Sequence, residues 1–293
     1  MIEVWGVPLD GVMWYCVGGG SFFAGCLLLI AGMIGALFAS KTWHNILIYF
    51  AVVVSAFFIY MAAMPFSDMF YILWAVVIAG GLSGIHFKSK KKIAVSMLAG
   101  GMTLLAVFLE LPHYITPSIP SEGYSRLFVV GDSISDGIGT EDERTWPKIM
   151  VEEGFEVIDA ARAGATSVTA LRRQIHSVSD DEGIVVLEIG GNDALMGTPH
   201  DEYEKALREM LGKVLTDQHT VIMLEVPVLP WHIEYGRILR KVANEFDITL
   251  IPKKFLAGIF SAKDATLDLA HLSPKGHELM ARGMLTLIQV KQE

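Results

Sequence analysis

Cysteine is scarce in this chain: Cys16 and Cys26 are the two among 293 residues. Both fall in one apolar run, where they serve as small hydrophobic residues, so no disulfide framework is implied and the redox compartment is left open. His and Cys nowhere cluster at metal-ligand spacing, and nothing in the pattern asks for a cofactor. Charge is thin as well, at 19% of residues against 52% hydrophobic. The thinness is uneven. Residues 1–120 hold four acidic groups (Glu3, Asp10, Asp68, Glu110) and five basic ones (Lys41, Lys88, Lys90, Lys91, Lys92), leaving 28 acidic and 18 basic of the chain's 32 and 23 for the rest. An oily, nearly uncharged front thus precedes an acidic back of ordinary domain size. That acidity argues against nucleic acid and against adhesion to anionic headgroups by charge alone.

The front contains four long apolar runs, at about 12–38, 43–64, 69–86 and 93–111. Each is near or above the ~20 residues a helix needs to cross the hydrocarbon core. Polar faces at helical spacing, which a soluble core helix would show, are missing. The runs therefore predict four spanning helices in residues 1–111. The leader before the first carries Glu3 and Asp10 and no basic residue, unlike a cleaved signal peptide. Lys41 follows the first run and "KSKKK" at 88–92 follows the third, whereas Asp68 follows the second. Lysines retained inside put the N-terminus, Asp68 and everything after the fourth helix outside. His44, His86 and Glu110 sit at run ends, where reaching the interface is enough, and the glycine groups at 18–20, 80–81 and 100–101 suit close helix packing. An anchor is the expected role. Residues 112–124, "PHYITPSIPSEGY", read as a Pro-punctuated linker reaching no more than ~45 Å if extended.

From 125 to 293 the pattern changes. Strand-like runs at 126–130, 155–160, 183–189, 220–226 and 248–251 alternate with amphipathic helices, the last opening at Ser273 as N-cap with Pro274 behind it. Such alternation predicts a parallel five-stranded sheet covered on both faces, a three-layer α/β/α fold of flavodoxin-like type. Ligands bind beyond the C-terminal strand ends in such sheets. Those ends carry "GDSIS" at 131–135, "ARAGATS" at 161–167 with Gly164, and "GGND" at 190–193, and the last helix follows "DLAHLSP" with Asp268 and His271. A serine needs a base, and a histidine oriented by a carboxylate supplies one. A developing oxyanion needs donors, which Ser133 N–H, Gly164 N–H and the Asn192 amide offer.

These blocks, in this order and approximate spacing, resemble the GDSL or SGNH family of serine hydrolases over about residues 125–291. The resemblance implies Ser133 as nucleophile, Gly164 and Asn192 with Ser133 N–H as oxyanion hole, and Asp268 with His271 completing a triad. Ile134 stands where the family motif has leucine. An ester substrate is implied, on a lipid or an envelope glycan beside the bilayer, cleaved through an acyl-enzyme. Two other classes use the same parts: an acyltransferase in which a sugar hydroxyl intercepts the acyl-enzyme, and a catalytically idle sensor. The intact set of five groups argues against the idle module; hydrolase and transferase both stay open, although the apolar runs offer few of the polar groups a transferase with a membrane-borne donor would use.

Bland readings apply to the neighbours. Asp132 and Asp193 are expected to pin loops through backbone N–H groups. Asp136 and the run "EDE" at 141–143 read as solvated, Trp146 and Trp231 as packing, and His277 as a histidine with no carboxylate to orient it.

Overall fold

The computed structural model of the chain describes residues 3–4, 7–38, 41–83, 90–119, 125–138 and 143–288. His86, Lys88, Glu141 and Asp142 lie outside the described residues, as does the end of the linker. Glu3–Val4 and Val7–Pro8 pair as a short antiparallel hairpin, and among the described residues five α-helices follow it: α1 Leu9–Val17, α2 Gly20–Phe38, α3 Thr42–Met61, α4 Asp68–Ser83 and α5 Lys90–Glu110. The run 12–38, expected as one spanning helix, is therefore broken. Gly19 turns the chain with φ +99°, a left-handed conformation that favours glycine, and α1 leaves the axis of α2.

Three helices are long and apolar enough to cross a membrane: Gly20–Phe38, Thr42–Met61 and Ile93–His113. The fourth, α4, has 16 residues, about 24 Å of helix against a hydrocarbon core of ~30 Å. Successive helices run antiparallel. Ser21 at the start of α2 donates to the Phe58 carbonyl near the end of α3 at 2.9 Å, and Trp74 of α4 donates to Thr103 of α5 at 3.1 Å.

The acidic half forms the expected parallel sheet. Its strands are β1 Arg126–Gly131, β2 Glu156–Asp159, β3 Gly183–Glu188, β4 His219–Leu224 and β5 Thr249–Ile251, in the spatial order β2-β1-β3-β4-β5. Side chains alternate faces, as strand geometry requires. Leu127, Val129, Ile184, Val186, Ile222 and Leu224 enter one core, and Phe128, Val130, Val185, Leu187, Val221 and Met223 the other. Eight helices complete the unit: α6 Ser133–Asp136, α7 Trp146–Glu152, α8 Ser167–Arg173, α9 Gly191–Met196, α10 His200–Val214, α11 Ile233–Glu245, α12 Lys254–Phe260 and α13 Pro274–Leu287. Ser273 does cap α13, accepting from Gly276 N at 3.1 Å.

The two halves are clamped together. Trp14 and Val17 of α1 join the core beneath the first sheet face, with the Trp14 and Phe260 rings 4.6 Å apart. Lys253 Nζ donates to the carbonyls of Ala62 and Ala63 just past α3, at 2.6 and 3.0 Å. Arg237 donates to the Phe66 carbonyl at 2.7 Å and pairs with Asp68 at 2.6 Å. Glu110, at the end of α5, receives a two-pronged grip from Arg240, both bonds 2.7 Å. Its expected place at an interface is instead a buried ion pair with the sheet unit. The start of the linker is docked too: Ile119 is buried, and its N–H reaches the Leu287 carbonyl at 3.0 Å. The α/β unit thus sits on one end of the helix bundle, and Lys41 lies at the other end of α2 and α3.

Candidate active site

Ser133 is the first residue of α6, directly where β1 ends. Asp132 caps that helix by accepting from Ile134 N at 3.0 Å. A helix of one turn after a strand lifts Ser133 to the sheet rim, and its side chain is partly exposed there. Gly164 lies in the loop after β2 with φ +76° and open space where a Cβ would stand, so backbone there can approach a ligand unobstructed. Among the described residues the N–H groups of Ser133 and Gly164 find no hydrogen-bond acceptor. Two unspent donors on one rim are what an oxyanion hole requires.

Asn192 is the second residue of α9, just after β3. Its amide nitrogen donates to Asp132 Oδ2 at 3.0 Å and to the Ala165 carbonyl at 3.2 Å. Both amide hydrogens therefore have partners in this structure. Asp193 pins the neighbouring loop as expected, accepting from Ser167 N at 2.8 Å and Ser167 Oγ at 2.7 Å. Asp268 and His271 stand at the tip of a small loop tied at its base by a Thr266–Leu272 bridge. Asp268 Oδ2 meets His271 Nδ1 at 2.8 Å, and Oδ1 takes the backbone N–H groups of Ala270 and His271 at 2.7 and 2.8 Å. Partial burial would raise the Asp268 pKa, but these bonds outweigh it and bring the group down to about 2. It is a carboxylate at any working pH, and it fixes the His271 ring with Nε2 outward. Among the described residues no hydrogen bond joins Ser133 Oγ to that ring. Resting enzymes commonly close this contact only when substrate binds.

Three residues of the site escaped the sequence. Asp136, read as solvated, holds the Gly164 loop by accepting from Ala163 N at 2.8 Å. Glu188, at the buried end of β3, accepts from Asp132 N at 3.2 Å and Ser135 Oγ at 3.0 Å. Burial, then the adjacent Asp132 carboxylate, push its pKa well up, and burial raises Asp132 too. Gln174 grips Gly131 from both sides, accepting from its N–H and donating to its carbonyl, each at 3.0 Å. Two expectations need correction. His277 does face a carboxylate: Nδ1 accepts from Trp146 N at 3.2 Å, which puts the proton on Nε2, 3.4 Å from Glu143 Oε1. It is fully buried, and burial lowers its pKa. Trp231 is 65% exposed rather than packed, whereas Trp146 is buried as expected.

Comparison with known proteins now bears on this geometry. A model of the GDSL-like lipase/acylhydrolase family matches residues 129–279, about half of the chain. The chain belongs to that family. Esterase TesA of Pseudomonas aeruginosa is 31% identical over 145 residues, which cover 45% of this chain and 72% of that protein. An arylesterase of Vibrio mimicus is 27% identical over 175 residues, 55% of this chain and 86% of that one. A crystal structure of TesA superposes with a TM-score of 0.48 at 26% identity, covering 56% of this chain and 98% of the other. Like its GDSL relatives, the chain is an ester-hydrolysing serine hydrolase. Residues 1–128, with α1 to α5, lie outside the family match.

Replacing Asn192 by alanine is expected to lower kcat by about a hundredfold, roughly 3 kcal/mol of transition-state stabilisation, with little change in KM. Steady-state kinetics on a nitrophenyl ester measure the split. A rise in KM alone would make Asn192 a substrate-positioning group and leave the hole short of a donor.

Proposed function

We propose that this chain is a membrane-anchored ester hydrolase working through a Ser133–His271–Asp268 triad on the outer face of the membrane. Its substrate is an ester of a lipid or an envelope glycan. The observation that carries this reading is the oriented Asp268–His271 pair on the same rim as Ser133 and two unspent backbone donors. Ser133 Oγ attacks the ester carbonyl as His271 Nε2 takes its proton. The carbonyl oxygen becomes an oxyanion between Ser133 N–H, Gly164 N–H and the Asn192 amide. Collapse breaks the bond to the alkoxide, which recovers the proton from His271 and leaves. Water then repeats the sequence on the acyl-enzyme and restores Ser133.

Residues 125–293 form the catalytic domain in this reading, α2 to α5 the anchor and 112–124 the connection. Four crossings return the chain to the side on which it began. The start of α2, the end of α3, the start of α4 and the end of α5 all meet the α/β unit, through α1, Lys253, Arg237 and Arg240 in turn. Lys41 and the start of α5 at Lys90 lie at the opposite ends of these helices, and the lysines at 41 and 88–92 in the sequence support a cytoplasmic location for that side.

A cysteine at exposed Ser179, with Cys16 and Cys26 replaced, tests the orientation. A membrane-impermeant thiol reagent is expected to label it on intact cells. Labelling only after lysis would put the domain inside and remove envelope substrates from consideration.

A further inference from the structure

A cavity of about 250 Å³ opens beside the candidate active site. Three of its lining residues each adjoin a member of the site: Ile134 follows Ser133, Gly191 precedes Asn192, and Ala270 precedes His271. The opposite wall comes from α1, through Met13, Trp14 and Val17. Of the side chains that line the cavity, those of Trp14 and His232 alone carry polar atoms. The Trp14 indole N–H is buried with no hydrogen-bond partner in the protein, a rare condition for a buried donor. The wall is firmly seated. The Trp14 ring packs at a tilt against Phe260, and at Gly18 a Cβ would come within 2.6 Å of the Ala257 Cβ, so α1 lies tight against α12.

We propose that α1 is a working part of the substrate site. Met13, Trp14 and Val17 form the wall against which the acyl chain of the ester lies, and their bulk sets the longest chain accepted. This rests on the hydrolase reading above and adds to it a specificity element from outside the family's matched region. The occupant follows from position and chemistry. An acyl group on Ser133 must extend from the rim, and an apolar cavity starting at Ile134 and Gly191 takes hydrocarbon and rejects sugar. An apolar cavity of about 150 Å³ accommodates benzene, so this one has room for roughly ten carbons, far more than an acetyl group needs. Two residues, Gly18 and Gly19, separate this wall from α2. The cavity therefore opens where the first membrane-crossing helix begins, within reach of an acyl chain leaving the bilayer.

The test uses the full chain in detergent and two complementary readouts. The first is kcat/KM along a series of nitrophenyl esters from acetyl to decanoyl. Met13→Trp, which fills the cavity from a half-buried position, is expected to lower the ratio of decanoyl to acetyl kcat/KM at least about tenfold. Met13→Ala should shift the preference toward longer chains. The second readout needs no variant. A nitrophenyl alkylphosphonate with a decyl chain ending in a diazirine is attacked by Ser133 Oγ, forming the Ser–O–P bond and expelling nitrophenolate. Light then converts the diazirine to a carbene with loss of nitrogen, and insertion is expected in the peptide holding Met13–Val17. Normal acetyl turnover with an unmoved chain-length profile, or crosslinks confined to residues outside α1, would overturn the proposal alone. Absence of Ser133-dependent acetyl turnover would overturn the hydrolase reading and this proposal with it.

Discussion

Ser133→Ala is expected to abolish ester hydrolysis, lowering kcat by on the order of 10⁴-fold or more, while the protein stays folded and correctly inserted. Among the described residues the side chain has no hydrogen-bond partner, so its removal orphans no described buried group. Thermal unfolding should be unchanged within about 0.5 kcal/mol. Retention of more than a trace of activity in a clean preparation would exclude Ser133 as nucleophile. His271→Ala should be comparably damaging to turnover. His277→Ala should spare the chemistry and act on stability, because its ring is fully buried between Trp146 N and Glu143 rather than at the rim. An opposite ranking of the two histidines in kcat would make His277 the base.

The second large effect is expected at Arg240. Its guanidinium binds Glu110 at 2.7 Å on both oxygens and Glu225 at 2.6 Å, and both carboxylates are 1% exposed. Burial would raise the Glu225 pKa, but Arg240 and Lys253 more than offset this and hold it low. Arg240→Ala would leave two buried carboxylates short of their main partner, costing about 3–5 kcal/mol. For a unit of this size that is a fall of roughly 6–20 °C in the thermal midpoint. Scanning fluorimetry of the detergent-purified protein measures it, and limited proteolysis should show cleavage between bundle and sheet unit. A second change, Glu110→Gln, should recover part of the loss by removing one orphaned charge. If Arg240→Ala melts within a degree or two of the unaltered chain, the Arg240 clamp contributes nothing and the halves are held by the other contacts, those of α1, Lys253, Arg237 and Ile119.

What could be read from the sequence was what is local. "GDSIS" and "GGND" follow strands that short continuous apolar runs mark, "DLAHLSP" leads into the last helix, and each puts its functional groups within a few residues. The sheet, its rim and the candidate residues were therefore legible together. The turn at Gly18–Gly19 was not, because hydropathy runs without interruption from α1 into α2. Nor was the membership of Trp14 in the sheet unit's core, since its partner Phe260 lies near the other end of the chain. Charge partners follow the same logic. Glu110 with Arg240 and His277 with Glu143 are separated by 130 and 134 positions, too far for spacing to reveal. Glu188 and Asp136 were hidden differently. A glutamate ending a strand and an aspartate in a Gly-rich turn both look like ordinary solvated positions, and their buried partners emerge only from the folded rim. Trp231 was misplaced because an aromatic residue after two prolines in a loop looks like packing.

The location of α1 also fixes an order of events. It is the first helix made, yet the surface it covers includes Leu256, Ala257 and Phe260 of α12. On the proposed topology, α2 to α5 enter the bilayer while α1 stays outside with its apolar face uncovered until residue 260 has been translocated. The short turn into α2 keeps it close to its destination, so the final closure spends little loop entropy. The anchor thus holds the last piece of the enzyme in readiness beside the place where it docks. A fragment that begins after the membrane helices omits that piece, and would emerge with an open flank of core along α12, the kind of surface through which incompletely folded proteins aggregate.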